Sequence, residues 1–260
     1  SLNCCCMLSF CASSEAISFS SFFKARCSSI FGLFSVLFSL FVFSFFFVTN
    51  VFAQLGTFNS ELLQKKVLGK NIKLPYLDKN SYYGYIDSEK SPDEVRGGKS
   101  YYYLYVWIPL AVPEIGIRMV SPIPSKMNPK KKDFVSETFK SNSSERVKFF
   151  DTWISLEKAS NVISKESAVN NFETHEWNQI SYNDDSSELP KQPSGNKYNS
   201  LLRKVSDIND PLNSLTVGLY RIGFTTYKRG KVEGSFIAQI GTTIKIPGVM
   251  IVEDINNLLR

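Results

Sequence analysis

The chain has 260 residues, of which 43% are hydrophobic and 14% aromatic, with 30 basic side chains against 24 acidic ones. A formal net charge of +6 is mild, and no run interleaves aromatic and basic residues as nucleic-acid binding requires, so a nucleic-acid partner is not expected. There is one histidine and no P-loop, dinucleotide fingerprint, G-x-S-x-G or H-E-x-x-H, so the common enzyme motifs are absent and the chain is read as a non-enzyme.

The first 53 residues differ chemically from the rest. Ile30–Ala53 reads IFGLFSVLFSLFVFSFFFVTNVFA, without a charge, behind Lys24 and Arg26. A basic flank, an apolar run and a small residue at its end describe a signal peptide cut after Ala53. The run is also long enough to span a bilayer, so an uncleaved anchor is the competing reading. Residues 1–53 are thus assigned to an N-terminal extension and signal peptide, and residues 54–260 to one domain. Cys4, Cys5, Cys6, Cys11 and Cys27 all precede the boundary, so the domain carries no disulfide and must be held by core area, a metal or partners. Gln54 stands where a lipidated chain would carry a cysteine, so lipid anchoring is not expected. An exported protein follows.

In chain order, a short helix is expected around Ser60–Val67. Strand chemistry begins with SYYGYI (Ser81–Ile86), then YYYLYVWIPL (Tyr101–Leu110) and IGIRMVS (Ile115–Ser121): aromatic and β-branched side chains bounded by Gly and Pro. Alternation puts Tyr102, Leu104, Val106 and Ile108 on one face, the better core face. Tyr101, Tyr103, Tyr105 and Trp107 fall on the other, read as partly buried or surface. Lys130–Lys132 reads as a solvated loop, and DFVSETFKSN as a short helix. VKFFDTWISLE (Val147–Glu157) is the next strand. Residues 159–197 are polar, with room for a short helix and with His175 as a surface or capping residue. Leu215–Lys228 and Val232–Gly241 flank a Gly-containing turn and read as an antiparallel hairpin. The pattern predicts an all-β chain with a few short helices, a β-sandwich of Greek-key or jelly-roll type.

One acidic pair stands out, Asp184–Asp185 in NQISYNDDSSELP. Calcium takes six to eight oxygens, and loops at one end of a sandwich can supply them; the spacing is not that of an EF-hand, and by spacing alone a solvated loop fits better. A glycosidase carboxylate pair is set by distance in space and is not legible in sequence.

Longer blocks bear on this choice. SYYGYIDSEKSPD, YYYLYVWIPLAVPEIGIRMVSP, FFDTWISLEK, NKYNSLLR and GLYRIGFTTYKRGKVEGSFIAQIG occur in that order. Together they resemble the major outer-membrane surface lipoprotein family of pathogenic leptospires and its marine bacterial relatives, from about Ser81 to Val249. The resemblance implies a jelly-roll sandwich similar to collagen-binding adhesins, a bound calcium ion, and extracellular-matrix proteins or glycans as partners. It also implies calcium ligands at Asp151 and Thr152 of FFDTW, Asp184 and Asp185 of YNDDSS, and Tyr198 of NKYNS. In a regular strand Asp151 and Thr152 would face opposite ways, so one acts through its backbone or the strand ends or bulges there. The family's acidic loop is a long aspartate run and here only Asp184–Asp185, which implies weaker calcium binding. Lys126–Lys132 is basic where the family is Gly-rich and acidic. The expectation is a calcium-binding envelope or surface protein with an adhesin role; the runner-up is an abundant structural envelope protein without a specific ligand.

Overall fold

The computed structural model describes residues 58–227 and 231–260. Strands dominate the order: β1 (Asn59–Val67), β2 (Lys70–Pro75), β3 (Asp78–Ile86), β4 (Glu94–Arg96), β5 (Lys99–Ile108), β6 (Glu114–Val120) and β7 (Phe134–Val135). Helix α1 (Glu137–Ser141) precedes β8 (Trp153–Ala159), and α2 (Lys165–Asn170) precedes β9 (Trp177–Asn183). The chain continues through β10 (Ser200–Val205), β11 (Gly218–Thr225), β12 (Gly234–Thr242) and β13 (Met250–Val252), then a short 3-10 turn at Ile255–Leu259.

One sheet has the order β10-β6-β12-β3-β7 and the other β13-β5-β11-β8-β9, with β4 also paired to β5. Leu104, Val106 and Ile108 from β5 and Ile222 from β11 meet Ile117 and Met119 from β6 in one buried cluster. The two sheets therefore share a core, which makes the fold an all-β sandwich. Each large side chain closed off there contributes about 1.5–3 kcal/mol.

Both sheets are also covered on the outside. Tyr103, Tyr105 and Trp107 pack with Ala168 of α2 and with Ile255 and Leu258, so β5 is buried on both faces and its tyrosine face is not surface. The outer face of the five-stranded sheet carries Tyr83, Tyr85, Leu201 and Ile237, packed with Phe139 of α1 and with Phe58 and Tyr76 at the base of the β1–β2 hairpin. Gly116 makes that seat possible, because a Cβ there would lie 2.5 Å from the Tyr76 ring.

Three elements differ from expectation. Residues 60–67 belong to a strand paired with β2; its Leu and Lys pairs satisfy helical spacing, but the two-residue turn at Leu68–Gly69, with φ of 49° and 77°, closes a hairpin. Strands β11 and β12 do not pair with each other. β11 lies between β5 and β8, and β12 between β3 and β6 in the opposite sheet. Every residue of both is buried, and burial on both faces is met equally well inside either sheet, so adjacency in sequence did not decide which strands lie at their edges. The polar stretch from 159 to 197 holds β9, an edge strand of half-buried and exposed residues, whose weak apolar alternation hid it.

Candidate functional site

Strand β8 begins at Trp153, so Phe150, Asp151 and Thr152 form the segment leading into it. This resolves the question of opposite faces: the implied pair lies just outside the regular strand. β9 runs beside β8 and its last ladder pair joins Asn183 to Ile154. Asp184 and Asp185 follow directly, and Asp185 forms an isolated bridge with Ser200 at the start of β10. The segments holding Asp151–Thr152, Asp184–Asp185 and Tyr198–Ser200 therefore meet at one end of the sandwich.

The contacts are specific. The Thr152 N–H donates to the Tyr198 carbonyl at 3.0 Å, and the Thr152 hydroxyl donates to the same oxygen at 3.0 Å. Thr152 Oγ1 also lies 2.7 Å from Ser200 Oγ, and the Ser200 hydroxyl reaches the Thr152 carbonyl. Asn183 Nδ2 donates to the Leu201 carbonyl. The Asp185 N–H donates to Asp184 Oδ1 at 2.7 Å. Thr152 is fully buried, Asp151, Asp184 and Tyr198 are half-buried, and Asp185 is exposed. Burial raises the Asp185 carboxyl above the ordinary carboxylate value and the charge of Asp184 raises it further, as two adjacent anions would.

Residues that no motif pointed to complete the crossing. Gln192 is buried, and its Nε2 donates to the carbonyls of Ser121, Phe150 and Tyr198. Its Oε1 is a buried acceptor without a hydrogen-bond partner among the described residues. Asn199 Oδ1 accepts from the Ser121 N–H at 2.8 Å, and Asn199 Nδ2 donates to the Pro190 carbonyl. These side chains sit in the polar KQPSGNKYNS loop, where neither period nor charge distinguishes them.

As a donor set the site is all oxygen, which suits a hard cation such as calcium. Two adjacent carboxylates and an orphaned buried amide oxygen fit that group. The Tyr198 carbonyl and the Thr152 hydroxyl are engaged with each other, and among the described residues no group of three or more His, Cys, Asp or Glu side chains gathers in a metal-holding arrangement. The structure thus brings together the three segments and the Asp184–Asp185 pair.

A second charged cluster lies on the outer face of the six-stranded sheet. The Arg221 guanidinium sits between the rings of Tyr103 at 3.9 Å and Trp177 at 4.2 Å. It bridges Glu157 at 2.7 Å, and Arg96 reaches the other Glu157 oxygen at 3.0 Å. Burial alone would raise the Glu157 carboxyl, but hydrogen bonds from Arg96 and the charge of Arg221 outweigh it and hold it below the ordinary value. His175 lies on the same face, its Nε2 3.0 Å from the Ala168 carbonyl and its ring against the edges of Phe172 and Trp177. A cavity of about 540 Å³ between α2 and the C-terminal turn has Asp93, Glu173, Glu253 and Asp254 in its wall.

Against known proteins, the family model Lipl32, described as the surface lipoprotein of the Spirochaetales order, matches residues 70–251. No curated protein matches the chain. The chain belongs to this surface lipoprotein family, which is not a known enzyme family and which puts it in the envelope or at the cell surface.

Proposed function

We propose that this surface lipoprotein family member is a non-enzymatic, calcium-binding envelope protein whose cation ties the loops at one end of the sandwich. The observation that carries the reading is the crossing of three segments at which Asp184 and Asp185 stand side by side with Asp185 raised by burial and by its neighbour, beside the unpartnered Gln192 Oε1. Asp151, Asp184 and Asp185 would supply the negative charge. Thr152 and Tyr198 would supply neutral oxygens, the usual mixture for calcium. The chemistry of the bound ion is electrostatic and structural: it would hold β8, β9 and β10 at their meeting point. Thermal melting of the protein during a calcium titration tests the reading. A rise with saturating calcium, abolished by Asp184→Ala together with Asp185→Ala, is expected; a melting temperature unmoved at millimolar calcium sinks it.

The family resemblance motivates the second half of the proposal, an adhesin role toward extracellular-matrix proteins or glycans. Solid-phase binding to collagen, laminin and fibronectin, with and without chelator, tests that half. Binding lost in chelator supports it, and background binding throughout favours an abundant structural protein without a specific ligand.

A further inference from the structure

The β1–β2 hairpin is closed off at its base and exposed beyond it. Glu114, fully buried, accepts from Ser60 Oγ, from the N–H groups of Glu61 and Leu62, and from the Tyr76 hydroxyl at 2.6–2.8 Å. Past that clamp every residue from Leu62 to Pro75 is exposed except the half-buried Leu63 and Lys73. The ladder pairs Lys65 with Ile72 and Val67 with Lys70, so strand alternation puts Lys65, Val67, Lys70, Ile72 and Leu74 on one face. Val67, Ile72 and Leu74 are about two-fifths exposed and Leu68, at the tip, is 98% exposed. Leu68 also adopts a positive φ of 49°, a conformation that Asn or Gly takes at much lower cost. An asparagine would close the same turn without presenting an apolar side chain to water.

Charge surrounds these side chains. Lys65, Lys66 and Lys70 are exposed on the hairpin, while Lys73 lies 3.8 Å from Glu188. At the base, the Arg118 guanidinium lies over the Phe58 ring at 5.1 Å. Lys132 Nζ donates to the Lys79 carbonyl at 2.8 Å, with Lys130 and Lys132 exposed; burial lowers the Lys79 ammonium, and Arg118, Lys132 and Lys130 lower it further. The acidic cavity wall of Asp93, Glu173, Glu253 and Asp254 lies instead on the outer face of the six-stranded sheet.

We propose that the β1–β2 hairpin docks the domain on an anionic lipid surface, with Val67, Leu68, Ile72 and Leu74 entering the acyl boundary and Lys65, Lys66 and Lys70 meeting headgroup phosphates. Apolar and basic side chains interleaved near the tip of a hairpin suit an interface between water and hydrocarbon. The outer edges of the two strands, unpaired with any other strand among the described residues, keep the insertion shallow, with the backbone at headgroup level. A second copy seated hairpin on hairpin fits less well, because it would oppose lysines with lysines. The inference stands apart from the calcium reading, and its test is run in chelator.

The full chain, as wild type, as Leu68→Trp and as the control Leu212→Trp, is mixed with vesicles of phosphatidylcholine and phosphatidylglycerol carrying brominated acyl chains. Leu212 is 65% exposed in the β10–β11 connection, so both substitutions are at open positions, and unchanged melting temperatures check that the fold is kept. The readout belongs to position 68, whatever else holds the chain to the vesicle. Quenching of the Leu68→Trp signal several-fold above the control is expected. It should fall toward the control on pure phosphatidylcholine and in a Lys65→Gln, Lys66→Gln, Lys70→Gln background. Quenching equal to the control overturns the proposal. So does an excess indifferent to headgroup charge and to the lysines. A concentration-dependent blue shift at position 68 without vesicles would also overturn it, in favour of a second copy as the occupant.

Discussion

Strand β8 runs from one kind of charged site to another, and the two differ in how charge is balanced. In its middle, Glu157 is almost fully buried and held by Arg221 and Arg96, with two aromatic rings closing over the Arg221 guanidinium. Before its first residue, Thr152 leads into a crossing where Asp184 and Asp185 lie side by side and where burial and the Asp184 charge push the Asp185 carboxyl up. The first cluster is complete within the protein, as buried charge must be. The second has no cationic partner among the described residues, and it is there that the proposed calcium ion would act. The shifts tell them apart: the Glu157 carboxyl is held low and the Asp185 carboxyl is pushed high, although both are carboxylates of one sheet region.

The largest expected effect breaks the complete cluster. Glu157→Leu leaves Arg221 buried and without its main partner, at a cost of about 3–5 kcal/mol, which in a domain of this size lowers the melting temperature by roughly 10 °C. The double variant Glu157→Leu, Arg221→Met removes both charges together, and most of the loss should return because well-packed apolar groups replace a desolvated pair. Thermal or urea unfolding checks both, and the losses should be the same with calcium and with chelator. A double variant no better than the single one would mean that the aromatic sandwich around Arg221, and not charge pairing, carries the stability.

The next effect completes the open cluster. Calcium at about a hundred times its dissociation constant should stabilise the wild type by about 2.7 kcal/mol, and Asp184→Ala with Asp185→Ala should erase that gain while leaving the Glu157 results untouched. A smaller effect isolates the hydrogen bonds that Thr152 makes inside the crossing from the ligand role proposed for it. Thr152→Val keeps the buried volume but removes the hydroxyl shared by the Tyr198 carbonyl and Ser200. It should cost about 1–3 kcal/mol, as read by urea unfolding. In chelator the whole loss should remain, since the hydrogen bonds lost are internal to the crossing.

Sequence patterning carried much of the architecture and little of the site. Strands β3, β5 and β6 are legible because Tyr, Val and Ile runs bounded by Gly and Pro have few other fates. The opposite sheets of β11 and β12 are not legible, because alternation records which faces are covered and not which strand lies at each edge. The hairpin at Asn59–Pro75 was hidden for the opposite reason: exposed on nearly every position, it has no buried face to impose a strand period, and its Leu and Lys pairs satisfy helical spacing instead. At the crossing, Asp151, Thr152, Asp184, Asp185 and Tyr198 span three loops whose meeting depends on β8, β9 and β10 lying at one end of the sandwich. Residue spacing alone favoured a solvated turn at Asp184–Asp185, and only the resemblance joined it to FFDTW and NKYNS. Gln192 and Arg221 escaped altogether, since a single polar residue in a loop or a single Arg in an apolar strand has no periodic signature. Their roles are visible only from three carbonyls in one case and two rings in the other.

The smallest effect is the most discriminating, because its sign changes with conditions. In chelator near neutral pH, Asp185→Asn removes one of two adjacent anions, and the variant should be more stable than wild type by a few tenths of a kcal/mol, as for other exposed charge pairs. With calcium the same substitution removes a ligand, and the variant should be the less stable one. Acid supplies an independent check. The folded-state Asp185 carboxyl lies above its ordinary value near 3.8, so its contribution favours the folded state below that value and is lost as pH rises through the higher folded one. The advantage of Asp185→Asn in chelator should therefore fade as pH falls from the raised folded value through 3.8, below which Asp185 carries its proton in both states. Glu157 has the reverse sign: held low, it stabilises above its ordinary value near 4.5 and loses that contribution as pH falls through its folded value. Differential melting of wild type and Asp185→Asn across pH isolates the first effect from the second, since Glu157 is common to both proteins. An advantage that persists undiminished in acid would mean that Asp185 is not strained by its neighbour, and the crossing would then lack the charge imbalance that a cation is proposed to relieve.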